Sequence, residues 1–458
     1  MELTSTNYLP SYTVGVDAYK AVPEVTRRFG STAVIIGGKT AMEKAAPRLL
    51  AALEGTGVTV ADQIWYGGQP RHCVAEKLAA DPRVQAADMV FGMGGGRAID
   101  ETKEIAELAG KPLFTFPTVA SNCAPVTAIG VFYKEDGSVD NYFLPKEPPI
   151  HSFIDTKVIS ESPDDYFWAG IGDALSKQPE VELTSRDLDL PHTPLMGRAL
   201  AVSCERPLFD YSAKALEDKR TRTSSYELEQ VILDIIVSTG LVSNMTTNLG
   251  AEKGAYYFNS STAHAFYNAY TGIGEAAERH LHGEVVSFGV LVLKAFDDKP
   301  EELKKFAALN VCLGLPTTLA ELECPESALA GIVERAQKTN EWGRAPYGFS
   351  PKRFEQAILD ADAYGRALAA GDAAAQAAAL SAVLTVKQPN GTDPAQTDDP
   401  ASEVNTDIGD RLNQAQLPIA TPTPSPTATP TPMPDFTPAP PTPKPTAVQK
   451  LSPPVRGE

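Results

Sequence analysis

The chain has 458 residues, with 58 acidic against 40 basic side chains and a formal charge of −18. That balance argues against nucleic acid as a partner, since phosphate binding needs a basic face. No membrane span or cleavable leader is visible, and Cys73, Cys123, Cys204, Cys312 and Cys324 are an odd, scattered set of the kind kept reduced, so a cytoplasmic protein without disulfides is expected.

Short apolar strands are predicted near 33–36, 58–60, 88–92 and 113–116, alternating with helical stretches, which implies a parallel sheet. The third of these runs through Met89, Val90 and Phe91 into a loop, Gly92-Met93-Gly94-Gly95-Gly96-Arg97, and the run 98–108 reads as an amphipathic helix. Consecutive glycines at such a turn leave backbone N–H groups free to approach a pyrophosphate at a helix N-terminus. The loop is neither a Walker loop nor the spaced dinucleotide pattern, and a plain tight turn would carry the same residues. Two β-rich runs over 126–144 flank Glu135-Asp136-Gly137, a hairpin signal. From about residue 160 the chain reads as mainly helical, for example over 225–242 and 301–313. The expected fold is therefore α/β. A Rossmann-like parallel-sheet domain (1–160) is followed by an all-helical domain (161–375) and a low-complexity tail (376–458), with metal and cofactor in the cleft between the two domains. In the tail, 373–383 is an alanine-rich helix candidate. The Pro/Thr-rich tract beyond it cannot form a packed core and is expected to be extended and disordered, a spacer or a docking peptide for another protein.

Three side chains carry the chemistry. Asp173 lies in Gly170-Ile171-Gly172-Asp173, in what looks like a helix start; His264 lies in Ala263-His264-Ala265, and His282 in His282-Gly283-Glu284. Two imidazoles and one carboxylate make a three-ligand metal site that leaves positions open for water or a substrate oxygen. On one continuous helix the two histidines would stand about 27 Å apart. The glycines of Tyr270-Thr271-Gly272-Ile273-Gly274 let the chain turn and bring the second back. Taken singly, each histidine reads as an ordinary satisfied polar residue; the upstream nucleotide loop is what turns the reading towards a metal.

These motifs resemble those of the metal-dependent, iron- or zinc-containing polyol dehydrogenases typified by glycerol dehydrogenase. The resemblance covers about residues 8–370 and includes Gly94-Gly95-Gly96-Arg97-Ala98-Ile99-Asp100, Pro117-Thr118-Val119-Ala120-Ser121 and the three ligand segments, in the same order. It implies an oxidoreductase with NADP or NAD and one divalent ion, zinc ahead of iron or manganese, held by the catalytic Asp173, His264 and His282. It also implies pyrophosphate contacts at Gly94, Gly95, Gly96, Arg97 and Ala98, and further cofactor contacts at Thr118, Ser121, Thr127, Ile129 and Tyr133. A small-molecule substrate is expected, with no nucleic acid or membrane partner; a homo-oligomer stays open.

Three departures from the family pattern bear on specificity. Gly38 stands after the strand Val34-Ile35-Ile36 where relatives usually carry an aspartate for the adenosine ribose, so with Lys39 and Thr40 beside it NADP is favoured over NAD; a mere turn glycine is the alternative. Cys123 stands where polyol-oxidising relatives carry an aspartate that holds substrate hydroxyls. An uncharged thiol does not repel a carboxylate, which favours the branch resembling hydroxycarboxylate dehydrogenases, acting between 2-hydroxy and 2-oxo acids. Arg97, Lys103 or Lys177 would supply positive charge there, although surface solvation is the commoner fate of such residues. Pro179, about two turns after Asp173, is expected to kink the helix that carries the ligand and calls activity into question. Tyr267 is often histidine in relatives. His280 is read as an exposed helix-end residue, with a proton relay as the alternative. Rival readings are a glycerol dehydrogenase, a dehydroquinate synthase-like lyase, disfavoured by the lack of clustered basic residues, and a non-catalytic scaffold.

Overall fold

In the computed structural model the residues described are 7–135, 137, 139–249 and 255–370. Among them, β1 (Ser11–Gly15), β2 (Thr32–Gly37), β3 (Thr59–Trp65), β4 (Met89–Gly94) and β5 (Leu113–Pro117) lead to an outlying antiparallel hairpin, β6 (Gly130–Tyr133) and β7 (Val139–Phe143), and then to β8 (His151–Asp155). The six strands other than the hairpin form one parallel sheet in the order β1-β8-β5-β4-β2-β3. Its central strands are apolar on both faces, as a sheet covered on both sides requires. Ala33, Ile35, Phe91, Phe114 and Phe153 pack to one side, and Val34, Ile36, Val90 and Leu113 to the other.

All four expected strands are present, and so is the hairpin. β1 and β8 are additions. β8 is buried along its whole length despite reading His-Ser-Phe-Ile-Asp. The sheet tolerates His151 there because its ring pairs with Ser11 Oγ at 2.7 Å and Thr13 Oγ1 at 2.9 Å on the neighbouring strand. Burial pulls the His151 imidazole down to about 4.

The chain runs outward from β2 to β3 and returns on the far side of β2 at β4, so the strand order reverses between β2 and β4. A crevice at the carboxyl ends of the strands forms at such a reversal. The ends that meet there are Gly37 and Gly38 after β2, and Gly94, Gly95 and Gly96 leading into the helix Gly96–Ala109.

After β8 the chain is mainly helical, beginning with Thr156–Glu161, which spans the expected boundary at residue 160. The apolar run Tyr226–Thr246 is long and apolar enough to cross a membrane, but 67% of its apolar window is buried, as in a core helix. Its residues join a large core with Phe167, Phe266, Phe288 and Phe306.

Helix crossings at glycine fix the part that matters for function. The helix His282–Phe296 meets Asp164–Ala174 so closely that a Cβ on Gly283 would lie 1.8 Å from the Ala169 carbonyl oxygen, and one on Gly172 would lie 2.3 Å from that of Gly283. It meets Thr262–Tyr270 at Gly289, where a Cβ would fall 2.6 Å from the Ala263 oxygen. Gly170 lies against Ala120, a Cβ there falling 2.2 Å from the Ala120 oxygen, which ties the same helix to the turn after β5.

Two sequence expectations are corrected here. Asp173 is at the end of its helix, not the start. The chain breaks at Leu175 and Ser176 and restarts as a second helix, Lys177–Ser185, so Pro179 is the third residue of a new element. A first-turn residue has no intrahelical acceptor for its N–H, so proline costs little there and the helix carrying Asp173 is not kinked. The alanine-rich 373–383 and the Pro/Thr-rich tract lie outside the described residues. The chain divides into a unit ending at Pro389 and another starting at Asn390, and every described residue belongs to the first.

Candidate metal centre and nucleotide cleft

Because the helices cross at glycines placed next to the ligands, Asp173, His264 and His282 converge, with one ligand atom from each all within 4.8 Å of one another. His282 Nε2 lies 3.1 Å from Asp173 Oδ1 and His264 Nε2 lies 3.6 Å from the same oxygen. The turn predicted between the histidines is a short 3-10 segment, Thr271–Ile273, followed by Gly274 at φ +90°.

Behind His264 stands Glu180, fully buried. Its Oε2 is 2.6 Å from His264 Nδ1, and its Oε1 accepts the backbone N–H groups of Ser261 (2.8 Å) and His264 (3.0 Å). A carboxylate on the outer nitrogen of an imidazole fixes the tautomer, so that the inner nitrogen presents its lone pair. The sequence reading missed this residue. Its only signal in the sequence is its place beside Pro179, and the helix restart that Pro179 marks is what delivers Glu180 to His264. On the other ligand, the Tyr267 ring stands edge-on to His282 with centroids 4.2 Å apart.

The electrostatics suit a cation. Burial opposes the charge on Asp173, but the His282 and His264 imidazoles hold its carboxyl far below the usual range. Burial likewise opposes protonation of His264, yet Glu180 and Asp173 outweigh it and raise the imidazole to about 10. Two carboxylates and two imidazoles around one small space bind positive charge, and a divalent ion does so by displacing protons. The donor set fits a zinc, iron or manganese ion.

The candidate nucleotide cleft is made of backbone. Gly95 is the N-cap of Gly96–Ala109 with no side chain bonded to the helix start, so its N–H groups are open to an anion. A Cβ on Gly94 would meet Ala98 at 2.8 Å, one on Gly95 would meet Val119 at 3.0 Å, and one on Gly37 would meet the Met93 oxygen at 2.2 Å. Thr118 donates its N–H to the Gly94 oxygen at 3.1 Å, and Ser121 is half-buried in the turn that packs on Gly170. Ala98 is buried, while Arg97 is exposed and lies over the Tyr133 ring at 5.7 Å. Thr127 Oγ1 and the Ile129 oxygen both accept from Lys103 Nζ, at 3.3 and 2.5 Å, and Lys103 also pairs with Asp100 at 2.9 Å. Those two polar atoms are thus engaged within the protein.

The expected fate of the three cations is revised. Only Arg97 is exposed; Lys103 and Lys177 are 2% and 6% exposed. Lys177 Nζ bonds Asn259 Oδ1 at 2.5 Å, and among the described residues no carboxylate lies within 4.0 Å of it. Cys123 is close enough for Lys177 and Asp173 to act on it electrostatically, and burial pushes its thiol up, so it stays uncharged. His280 is also corrected: its side chain is 9% exposed, and Nδ1 sits 2.8 Å from Glu284 Oε1 at the start of His282–Phe296, which ties it to the helix end.

Comparison with known proteins matches residues 10–156 to the family model described as iron-containing alcohol dehydrogenase. A glycerol dehydrogenase of Thermotoga maritima is 30% identical over 376 residues, 80% of this chain and 98% of that protein. Hydroxycarboxylate dehydrogenase A of Escherichia coli is 31% identical over 294 residues, 64% of this chain and 78% of that protein. The crystal structure of glycerol dehydrogenase from Schizosaccharomyces pombe superposes with a TM-score of 0.69 at 26% identity, covering 79% of this chain and 92% of that one.

Proposed function

The chain belongs to the iron-containing alcohol dehydrogenase family, and from that premise we propose that it moves hydride between NAD(P) and a small 2-hydroxy acid, or in reverse to the 2-oxo acid. At the coarser level it is an NAD-linked, metal-dependent alcohol dehydrogenase. The observation that carries the finer reading is Lys177, a buried ammonium with no carboxylate partner among the described residues, set near the neutral Cys123 and Asp173. A substrate carboxylate supplies the missing charge, whereas an aspartate at position 123 would have repelled it.

Asp173, His264 and His282 would hold the ion, which supplies a Lewis acid to the substrate oxygen. Glu180 keeps the proton of His264 on Nδ1 and so leaves Nε2 facing Asp173. Tyr267 limits the tilt of the His282 ring. Lys177 orients the substrate by its carboxylate, and the bare backbone at Gly94, Gly95 and Gly96 seats the cofactor pyrophosphate. The cofactor takes or gives the hydride.

NADP is proposed ahead of NAD. Lys39 Nζ lies 4.3 Å from the centre of the Trp65 ring, which holds a cation beside Gly38 where a 2′-phosphate is met and a ribose-binding aspartate is missing. Glycerol is the second reading, favoured because the Thermotoga maritima glycerol dehydrogenase aligns over nearly its full length, while the hydroxycarboxylate dehydrogenase aligns over less of its own. The test follows NADPH and NADH at 340 nm with protein loaded with zinc, manganese or ferrous iron, offered 2-oxobutanoate, 2-oxoglutarate or glycerol. Turnover of an oxo acid that collapses in Lys177→Met supports the proposal. Turnover of glycerol alone, indifferent to Lys177, overturns it in favour of the polyol reading. Gly38→Asp is expected to shift preference towards NADH.

A further inference from the structure

Between the connector that joins the two histidine-bearing helices and the helix Leu329–Ala336 lies an open cleft of about 490 Å³, lined by none of the metal ligands. Gly272 and Ala276 form one wall, Ser327 and Gly331 another, and Arg335 reaches into the space between. Among the described residues the Arg335 guanidinium makes one hydrogen bond, from Nε to the Ala269 oxygen at 2.7 Å. Its Nη2 is buried with no partner, and no carboxylate lies within 4.0 Å. Glu323, the acidic group of the cleft, is already paired with Arg279 through Nε at 3.0 Å. A guanidinium presents five N–H donors; the two on Nη2 are shut in without a partner, while Nη1 makes no hydrogen bond to the described residues and is not buried. The glycines on both walls keep the guanidinium clear, since a Cβ on Gly272 would lie 2.4 Å from Arg335 Nε and one on Gly331 would lie 3.0 Å from Nη1.

We propose that this cleft is a binding site for a small oxyanion, a carboxylate or a phosphate, taken by Arg335 through Nη1. Carboxylates and phosphates accept short, charge-assisted hydrogen bonds from a guanidinium. The site is separate from the metal centre but shares a lever with it. Arg335 holds the carbonyl of Ala269 in the helix that carries His264, and rests on Gly272 in the turn that leads back to His282. An occupant therefore braces the connector between two metal ligands. By linkage, metal binding and anion binding then strengthen each other.

Calorimetric titration of the metal-loaded full chain, with saturating NAD present to fill the nucleotide cleft, would use succinate and inorganic phosphate as probes against chloride at matched ionic strength. Saturable binding of either probe is expected, weakened at least about tenfold in Arg335→Met. Ser327→Glu, an exposed substitution that places a carboxylate in the same cleft without touching the core, is expected to weaken it as much. The His264→Ala variant, which loses the metal, is expected to keep saturable binding, weakened only by the share that coupling to the metal supplies. The probe that binds tighter identifies the source of the oxyanion. No saturable binding to the unaltered chain, binding that survives both cleft variants, or binding lost in His264→Ala would each overturn the proposal.

Discussion

The metal end and the nucleotide end of this cleft are built on opposite terms. At the metal end three side chains and the buried carboxylate behind one of them are the site, and glycine acts only in the scaffold, letting helices cross at Gly172–Gly283 and Gly289–Ala263. At the proposed nucleotide end, Gly94, Gly95 and Gly96 would be the site, because what a pyrophosphate needs there is exposed backbone. One end thus fails when chemistry is removed, the other when bulk is added.

Substitutions can break that contrast. His264→Ala removes a donor and leaves the buried Glu180 carboxylate without its imidazole; bound metal measured by mass spectrometry should vanish and kcat should fall at least about 10³-fold. Retained stoichiometric metal would place the ion elsewhere. Gly283→Ala deletes no donor, yet its Cβ would sit 1.8 Å from the Ala169 oxygen. The expected cost is about 3 kcal/mol in thermal or denaturant unfolding, with loss of metal as Asp173 and His282 part. A variant that unfolds like the parent would show that the crossing has slack. Glu180→Gln keeps the shape but loses the charge behind His264, and equilibrium dialysis should find metal affinity lowered about 10–100-fold. Smaller still is Gly94→Ala, where φ of +149° and the 2.8 Å approach to Ala98 predict a rise of about tenfold in KM for the nicotinamide nucleotide while metal content stays unchanged. Loss of metal in that variant would mean that the two ends are not separable.

The same contrast explains what was legible in the sequence. The ligands stood out because each has small neighbours, and those neighbours are the crossings themselves. Three central strands, β2, β4 and β5, and the start of the edge strand β3 stood out as apolar runs. β8 did not, because its His151 and Asp155 are polar groups that only a neighbouring strand or helix start can satisfy: Asp155 accepts the N–H groups of Lys157 and Val158. Glu180 was hidden for a related reason. Its partner is 84 residues away, and no local pattern announces a carboxylate that serves a distant imidazole. Lys177 reads as a surface residue by type and is buried by context.

The glycine crossings also carry a lesson for redesign. With backbone resting on backbone, the spacing of Asp173 and His282 has no side chain to trim, and any added Cβ breaks it, so the pocket is closer to a fixed jig than to an adjustable one. On the proposed reading, new substrates are then most readily reached through groups that are free to vary around that jig, Cys123 and Lys177 towards the substrate and Gly38 and Lys39 towards the cofactor, while Asp173 and His282 stay where the helices put them.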